Sequence, residues 1–537
     1  METAQSHIKK MISFLSTSEN LPDDAKEVEI RQTHGSILAL TPMHVFKVKK
    51  PIDFGFMDFT TLEKRQANCH RELTLNRRLC KDTYLDVIPI TQDESGSLHF
   101  GENRGEVIDY AVKMKRLEDG YFLKSLLKKE EDKLELIEIV GRKLIQFYQD
   151  PETPVAANDY GTLSHVRNDC QGNFQAMDKF PEHVVNPLLL ETIKAFTFNF
   201  LARFEHLFID RKQNGKILQC HGDLHLDHIH YKDGKLCIYD CVEFNEAYQS
   251  IDIANDLAFL AMDLEHNGYI REAAHFTTVM EEGLEDSDLS RLMHFYKVYR
   301  ACVRGKVHGL AGLDTNLPES DRLNHLESAR SFFNLALQNA CCGPDPSVLI
   351  MFGPIGSGKS TLAGEAAKLF GCPHLNSDVL RKQLFNLPPD ESSPDNLIEV
   401  MYSLQTTDQV YNLLIEKGLQ YSRNHLTFII DATFFNPDRR GEARLAFLAS
   451  AVKPLFIFIN AEDEIIQQRL ADRDKGEKVI SDARKQEFDK LVAEYPEPNF
   501  ENYQNNLIEI DNSRELDDVI AELLNKLSIR SMELMTK

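Results

Sequence analysis

Gly353-Pro354-Ile355-Gly356-Ser357-Gly358-Lys359-Ser360, followed by Thr361, is the stretch on which the fold of this chain turns. It fits G-x-x-x-x-G-K-[ST] at every fixed position. Five apolar residues, Val348 to Phe352, precede it, and Leu362, Ala363, Ala366, Ala367 and Leu369 follow at helical spacing. Strand, glycine loop and helix in that order let backbone N–H groups converge on phosphate oxygens at the positive end of a helix. Lys359 then reaches the outer phosphates and Ser360 can ligate Mg²⁺. Gly353, Gly356, Ser357, Gly358, Lys359, Ser360 and Thr361 are the nucleotide-binding residues expected here, and ATP with Mg²⁺ the expected cofactors.

Beyond the loop, strand and helix alternate. Pro373 to Ser377 reads as a strand running into Asn376-Ser377-Asp378, and a helix begins at Val379. A carboxylate at the carboxyl end of a strand faces the crevice where open α/β sheets bind ligands. Asp378 is therefore placed to activate an acceptor hydroxyl, with helix capping its plain alternative. Arg381, one turn on, is placed to bind substrate phosphate or steady the transferred group. Leu426 to Ile430 is a buried-type strand ending in Asp431, where an acid assists Mg²⁺. After a strand at Pro454 to Asn460, Arg469 and Arg473 share a helix face ahead of Gly476, as suits a lid over phosphates. Such alternation predicts an α/β domain with a parallel sheet covered by helices on both faces. On Gly353 to Thr361, Asp378 and Arg381 it resembles the small P-loop kinases that include polynucleotide 5′-hydroxyl kinases, gluconate kinases and zeta-toxin-like sugar-nucleotide kinases.

The N-terminal part reads differently. Short alternating stretches, Ser36 to Leu40 and His44 to Lys49, precede a helical segment from Thr61 to Leu79. Lys47 and Lys49 fall on one strand face, and Glu72 lies about two turns into the helix. A strand lysine paired to a helix glutamate is how protein-kinase-like folds hold phosphates, although alone such a pair is usually a solvated contact. A long helical run is expected from Leu123 to Gln149, an irregular crossing from Asp150 to Lys179, and helix again from Pro187 to Asp210.

A second chemical cluster decides the matter: Cys220-His221-Gly222-Asp223-Leu224-His225-Leu226-Asp227-His228-Ile229, a strand at Lys235 to Tyr239, then Asp240-Cys241-Val242-Glu243-Phe244. It resembles the catalytic and metal loops of the aminoglycoside phosphotransferase family. The resemblance, spanning about Ile30 to Leu335, implies an α+β protein-kinase-like fold. It also implies Asp223 as the group taking a hydroxyl proton, Asp240 as holder of Mg²⁺, His221 as a brace, and Lys47 with Glu72 at the phosphates. One position departs. The family has asparagine five residues after the aspartate; here it is His228. Mg²⁺ prefers oxygen and imidazole suits softer ions, so Asp227 takes over, a Mn²⁺-like ion is used at His228, or the domain binds nucleotide without efficient transfer. The usual glycine-rich lid is replaced by a short hairpin, Gln32 to Ser36.

Bulk properties bound the partners. The 537 residues exceed one core. Net charge is −23, acidic in both parts, which disfavours a broad grip on nucleic acid and leaves at most a single end held in a pocket. No apolar run approaches a membrane span and the polar start lacks a signal-peptide core, so the expected location is the cytoplasm, with no membrane partner. The ten cysteines form no C-x-x-C pair and read as reduced thiols. Helix breakers between Asn339 and Pro346 set the expected division: residues 1–340 as a phosphotransferase-like domain, 341–346 as linker, 347–537 as the P-loop domain. The expected function is ATP-dependent phosphoryl transfer to a hydroxyl of a small molecule, with two ATP sites. The alternative is an N-terminal regulatory nucleotide binder beside a catalytic P-loop domain, acting on a nucleic-acid 5′ end or sugar nucleotide.

Overall fold

Side-chain alternation along strands sets the first sheet. The computed structural model describes all residues except 1–3, 24–25, 102–103, 130–131, 157–159, 392, 474–505 and 537. In it β1 (Glu29–Gln32), β2 (Ser36–Leu40), β3 (His44–Lys49), β4 (Tyr84–Gln92), β5 (Leu98–Phe100) and β6 (Glu106–Lys115) form an antiparallel sheet ordered β1-β2-β3-β6-β4-β5. Ile37, Ala39, Phe46, Val48, Ile90 and Ala111 share a core with Met11, Phe14 and Leu15 of the helix Ala4–Leu15. On the opposite face Tyr84, Val87, Val112 and Met114 pack with Cys69 of the helix Leu62–Arg77, which Thr61 caps. Odd-numbered residues of β3 face that helix, so Lys47 and Lys49 both leave the sheet toward Glu72. Farther on, β7 (Ile217–Gln219), β8 (Ile229–Lys232), β9 (Lys235–Ile238) and β10 (Ser250–Asp252) make two antiparallel pairs, β7 with β10 and β8 with β9.

The second sheet is wholly parallel. β11 (Ser347–Phe352), β12 (His374–Asn376), β13 (Thr427–Asp431), β14 (Lys453–Asn460) and β15 (Leu507–Asp511) lie in the order β12-β13-β11-β14-β15. Right-handed crossovers in that order send Lys359–Phe370 to one face and the helices after β12 and β13 to the other. Val348, Ile350 and Phe352 accordingly share a core with Val410, Leu414 and Phe447. Leu349 and Met351, pointing the other way, are also buried. The chain direction reverses on either side of β11, and the crevice formed there lies at the carboxyl ends where the glycine loop begins.

Two compact units divide the chain: Met1–His165 with His206–Asp263 and His275–Ser290, and Val166–Glu205 with Leu264–Ala274 and Arg291–Lys537. The expected linker at 341–346 lies inside the second unit. Glu319–Cys342 is helical through Cys342, Gly343 ends it at φ 85°, and β11 starts at Ser347. The closing helix Leu516–Leu534 packs on Glu319–Cys342 and Pro187–Arg203, burying Leu523, Leu524 and Leu527. Apolar helix faces from before the breakers are thus part of the same core as the parallel sheet, a pairing that helix-breaking residues cannot signal.

Other expectations shift as well. Leu163–Met177 is a helix rather than an irregular crossing: Val166, Cys170, Phe174 and Met177 bury one face, among polar residues that mask the period. The run Leu123 to Gln149 is two helices, Leu123–Lys129 and Lys133–Gln149, the second capped by Asp132. Pro187 to Asp210 likewise divides at Phe204 into Pro187–Arg203 and Glu205–Gln213. Not all cysteines are thiols, since Cys80 and Cys237 form a disulfide across a sequence separation of 157 residues that no local spacing reveals. Among the described residues no helix is long and apolar enough to cross a membrane.

Two polar clusters, one buried and one half-buried, test this fold. Arg211 donates from Nε and Nη2 to the Asp252 carboxylate, both at 2.6 Å, and from Nη1 to Asp286 at 2.8 Å. Arg211→Ala removes the ion pair of buried Asp252 and leaves Asp286 only Lys216 at 3.4 Å, and is expected to cost about 3–5 kcal/mol, read from the urea midpoint. In the second unit, burial, then Arg304 and His325, push the His308 imidazole down to about 4. Only the unfolded chain binds that proton between about 6.5 and 4, so stability should fall as pH drops through this window, and His308→Gln should flatten the decline.

Candidate nucleotide sites

The helix Lys359–Phe370 begins at Gly358, φ 81°, with no side-chain cap, so its first N–H groups are not taken by a capping side chain. Two neighbours press on the loop. A Cβ at Gly353 would meet the Ile459 carbonyl oxygen at 2.0 Å, and one at Gly358 would meet Asn512 Nδ2 at 2.2 Å. Both positions require glycine for space, and Gly358 requires it for its backbone too. Asn512 Nδ2 donates to the Ser357 carbonyl at 2.6 Å, and Arg469 Nη1 donates to the same oxygen at 3.2 Å. Arg469 Nη2 also reaches the Asn512 carbonyl at 2.9 Å. Arg469, expected on a lid, is thus a clamp on the loop backbone. Arg473 closes the helix Asp463–Arg473; its side chain and Gly476 lie outside the described residues.

Beside the loop, Asp431 ends β13 fully buried. Its Oδ2 accepts from Asn376 Nδ2 at 2.5 Å, and the same amide nitrogen lies 3.4 Å from Ser360 Oγ. Asp431 Oδ1 has no hydrogen-bond partner among the described residues. Burial raises the affinity of this carboxyl for its proton, but the His374 contact, Lys359 and Ser360 outweigh it and leave the group below its ordinary value. An ionised, buried, half-satisfied carboxylate next to a serine hydroxyl fits an oxygen-preferring ion such as Mg²⁺.

Asn376 also resolves the alternative for Asp378. Asn376 Oδ1 accepts from the N–H groups of Asp378 and Val379, so it is the cap, and Asp378 sits inside the first turn. The half-buried Asp378 carboxylate has no hydrogen bond or ion pair among the described residues. Arg381 is placed differently from the expectation. It is buried, donates from Nη1 to the Met401 carbonyl at 2.7 Å and to Thr407 Oγ1 at 3.3 Å, and stacks on Tyr402 with 4.5 Å to the ring centre. Its guanidinium holds the corner between two helices, Asp395–Met401 and Leu404–Tyr421.

In the first unit, Lys47 Nζ donates to Glu72 Oε1 and to Asp240 Oδ1, both at 2.8 Å. Lys49 donates to Glu72 Oε2 at 2.5 Å and to Glu243. With Lys49 only 1% exposed and Lys47 12%, Lys47 is the lysine that remains accessible. Burial lowers the proton affinity of both ammonium groups, but Asp240 and Glu72 for Lys47, and Glu243 and Glu72 for Lys49, reverse the sign, so both are held above the usual lysine range. Asp240 has φ 63°, an uncommon backbone state for a non-glycine residue, and its N–H donates to Tyr84 Oη at 3.2 Å.

The loop carrying Asp223 is held by Asp256, whose Oδ2 accepts from the His221 N–H at 2.8 Å and Tyr148 Oη at 2.8 Å, while Oδ1 accepts from the Gly222 N–H at 2.9 Å. His221 Nε2 contacts the Tyr239 carbonyl at 2.8 Å and its Nδ1 accepts from the Asp223 N–H at 3.2 Å, the brace expected of it. His228 Nδ1 lies 2.9 Å from the Asp223 carbonyl, which fixes the proton there, and Nε2 faces Asp240 Oδ2 at 3.6 Å. Burial, then His225, push His228 down to about 4, so it is neutral at physiological pH. Asp227, the expected substitute ligand, is exposed and paired with Lys124 at 3.2 Å.

Asn376, Asn512, Glu243 and His225 carry parts of these sites that the motifs did not flag. Asn376 stood at the carboxyl end of its strand, two residues before Asp378, where a polar residue was legible as a loop contact. Asn512 came from the far end of the sheet, and no spacing rule reaches it.

Residues 348–498 match the family described as AAA domain, a stretch that takes in the glycine loop, Asp378, Asp431 and Arg469. An uncharacterized protein of Mycobacterium tuberculosis is 28% identical over 424 residues, covering 78% of this chain and 81% of its own. Among solved structures, a gluconokinase from Sinorhizobium meliloti aligns at 15% identity over 35% of this chain and 95% of its own, with a TM-score of 0.26. A choline kinase from Cryptosporidium parvum aligns at 10% identity over 62% of this chain and 95% of its own, with a TM-score of 0.37.

Gly358→Ala puts a side chain into a left-handed backbone and against Asn512. It is expected to weaken ATP binding at this loop by at least about tenfold, equivalent to about 1.4 kcal/mol, read calorimetrically on the full chain.

Proposed function

We propose that this chain is an ATP-dependent phosphotransferase acting on a hydroxyl of a small molecule, with its principal site at the glycine loop. The observation that carries this is the grouping of Ser360, Asn376 and the half-satisfied Asp431 beside an uncapped helix N-terminus, two residues from the unengaged Asp378 carboxylate. Lys359 and the loop amides bind the phosphates, and Ser360 with Asp431 would hold Mg²⁺. When bound, that ion neutralises charge on the phosphates. Asp378 takes the proton of the acceptor hydroxyl as its oxygen attacks the outer phosphorus and ADP leaves. Arg381 acts through the corner it holds, as a positioning residue, and Arg469 keeps the loop amides oriented.

Residues 1–340 and 347–537 are proposed as two phosphate-handling modules. The N-terminal site is read as a second phosphotransferase, with Lys47 orienting phosphates and Asp223 as base. The Lys47–Glu72 ion pair at 2.8 Å favours this, because a strand lysine paired to a helix glutamate is a requirement for transfer in kinase-like sites. A regulatory nucleotide binder is the rival, favoured by His228 in place of an oxygen ligand. The acidic net charge favours a small acceptor over a nucleic-acid end.

The test is transfer of label from γ-labelled ATP to a metabolite panel and to short RNA and DNA ends. Lys359→Ala is expected to cut transfer at the glycine-loop site by about 10²–10³-fold, the scale of losing one charge-stabilising group. Asp223→Ala is expected to abolish a different subset of products. If Asp223→Ala leaves every product intact while Lys359→Ala removes them all, the N-terminal site is regulatory. Labelling of nucleic-acid ends alone would overturn the small-molecule assignment.

A further inference from the structure

We infer that the N-terminal site selects a first-row transition ion over Mg²⁺, bound by His228 Nε2 and Asp240 Oδ2. This deepens the reading of that site as phosphate-handling, and rests on it only for the purpose of the ion.

The argument starts from which donor atoms are already used. Asp240 Oδ1 accepts from Lys47 at 2.8 Å, which leaves Oδ2 as the available oxygen. His228 Nδ1 donates to the Asp223 carbonyl at 2.9 Å, which leaves the Nε2 lone pair. A backbone carbonyl fixing one ring nitrogen so that the other can ligate is a recurring arrangement at metal-bound histidines. The two remaining donors face each other at 3.6 Å. Two metal–ligand bonds of about 2.1 Å at the tetrahedral angle span about 3.4 Å, so one ion fits between them with little movement.

A competing set lies close by. Donor atoms of Asp223, His225 and His228 all fall within 4.8 Å of one another, and the two imidazole rings are 3.8 Å apart. Hydrogen bonds argue against it. His225 Nδ1 accepts from the Asp227 N–H at 3.3 Å, which puts the ring proton on Nε2, the atom that faces Asp223 Oδ2 at 3.6 Å. Using this triad would require His225 to change tautomer, or His228 to give up its carbonyl. The His228–Asp240 pair requires neither.

The chemistry of the pair sets the ion. Mg²⁺ dehydrates reluctantly and takes oxygen donors, whereas one imidazole and one carboxylate suit first-row divalent ions. Mn²⁺ is the probe because its spin reports nitrogen ligands directly. In full-length protein labelled with ¹⁵N-histidine, pulsed electron paramagnetic resonance of bound Mn²⁺ should show imidazole nitrogen coupling. His228→Asn should abolish that coupling and lower the preference for Mn²⁺ over Mg²⁺ by about 10–100-fold. Ser360→Ala, which alters the other site, should leave the coupling intact.

Absence of nitrogen coupling in the wild-type protein overturns the assignment, and that measurement needs no variant to fold. Coupling that survives His228→Asn but is lost in His225→Asn also overturns it. Because binding is read without turnover, a protein that couples Mn²⁺ to His228 yet transfers no phosphate refutes the catalytic reading of this site alone.

Discussion

Two ammonium groups share one buried carboxylate in the first unit, and much of that unit is arranged around this fact. Glu72 accepts from Lys47 and Lys49, which in turn reach Asp240 and Glu243. Charges taken out of water are tolerated only when paired and hydrogen-bonded. The helix Leu62–Arg77, the strand β3 and the segment after β9 must therefore stay in register, or a charge is stranded. The sheet order, the odd-residue face of β3 and the left-handed backbone at Asp240 all serve that convergence.

The second unit reaches a comparable end with backbone in place of buried ions. Its glycine loop is squeezed between the end of β14 and Asn512, and Asn512 with Arg469 fixes the Ser357 carbonyl. A phosphate at such a helix terminus would be met by aimed N–H dipoles, with a few side chains at the rim. The two units thus present positive charge by different physical means: one carries a lysine held by acids, the other a helix terminus held open by glycines.

Legibility in the sequence followed the range of each interaction. The strand–loop–helix around Gly353 to Ser360 was readable because every determinant is local; period-two alternation put Lys47 and Lys49 on one strand face, but the pairing of Lys47 with Glu72 rested on the family resemblance. The place of Arg381 is not legible in sequence because its partners, Met401 and Thr407, come from two later helices that carry no motif. Arg469 was assigned to a lid because helix spacing shows a basic face but not the carbonyls it meets. The disulfide between Cys80 and Cys237, and the packing of Glu319–Cys342 against Leu516–Leu534, depend on contacts across more than a hundred residues. Single-sequence periodicity carries no information about such pairs. Leu163–Met177 was hidden for a simpler reason, a four-residue apolar face diluted by Asn, Asp and Gln.

Asp431 Oδ1 and Ser357 Oγ are both buried with no hydrogen-bond partner among the described residues. Polar atoms in that state raise the free energy of the folded chain, and a ligand that satisfies them lowers it again. A ligand that binds the folded second unit there would link its folding to occupancy, the unfolding free energy rising with the logarithm of ligand concentration above the dissociation constant. The same two atoms that leave the site incomplete would make the persistence of the fold follow the supply of whatever ligand satisfies them.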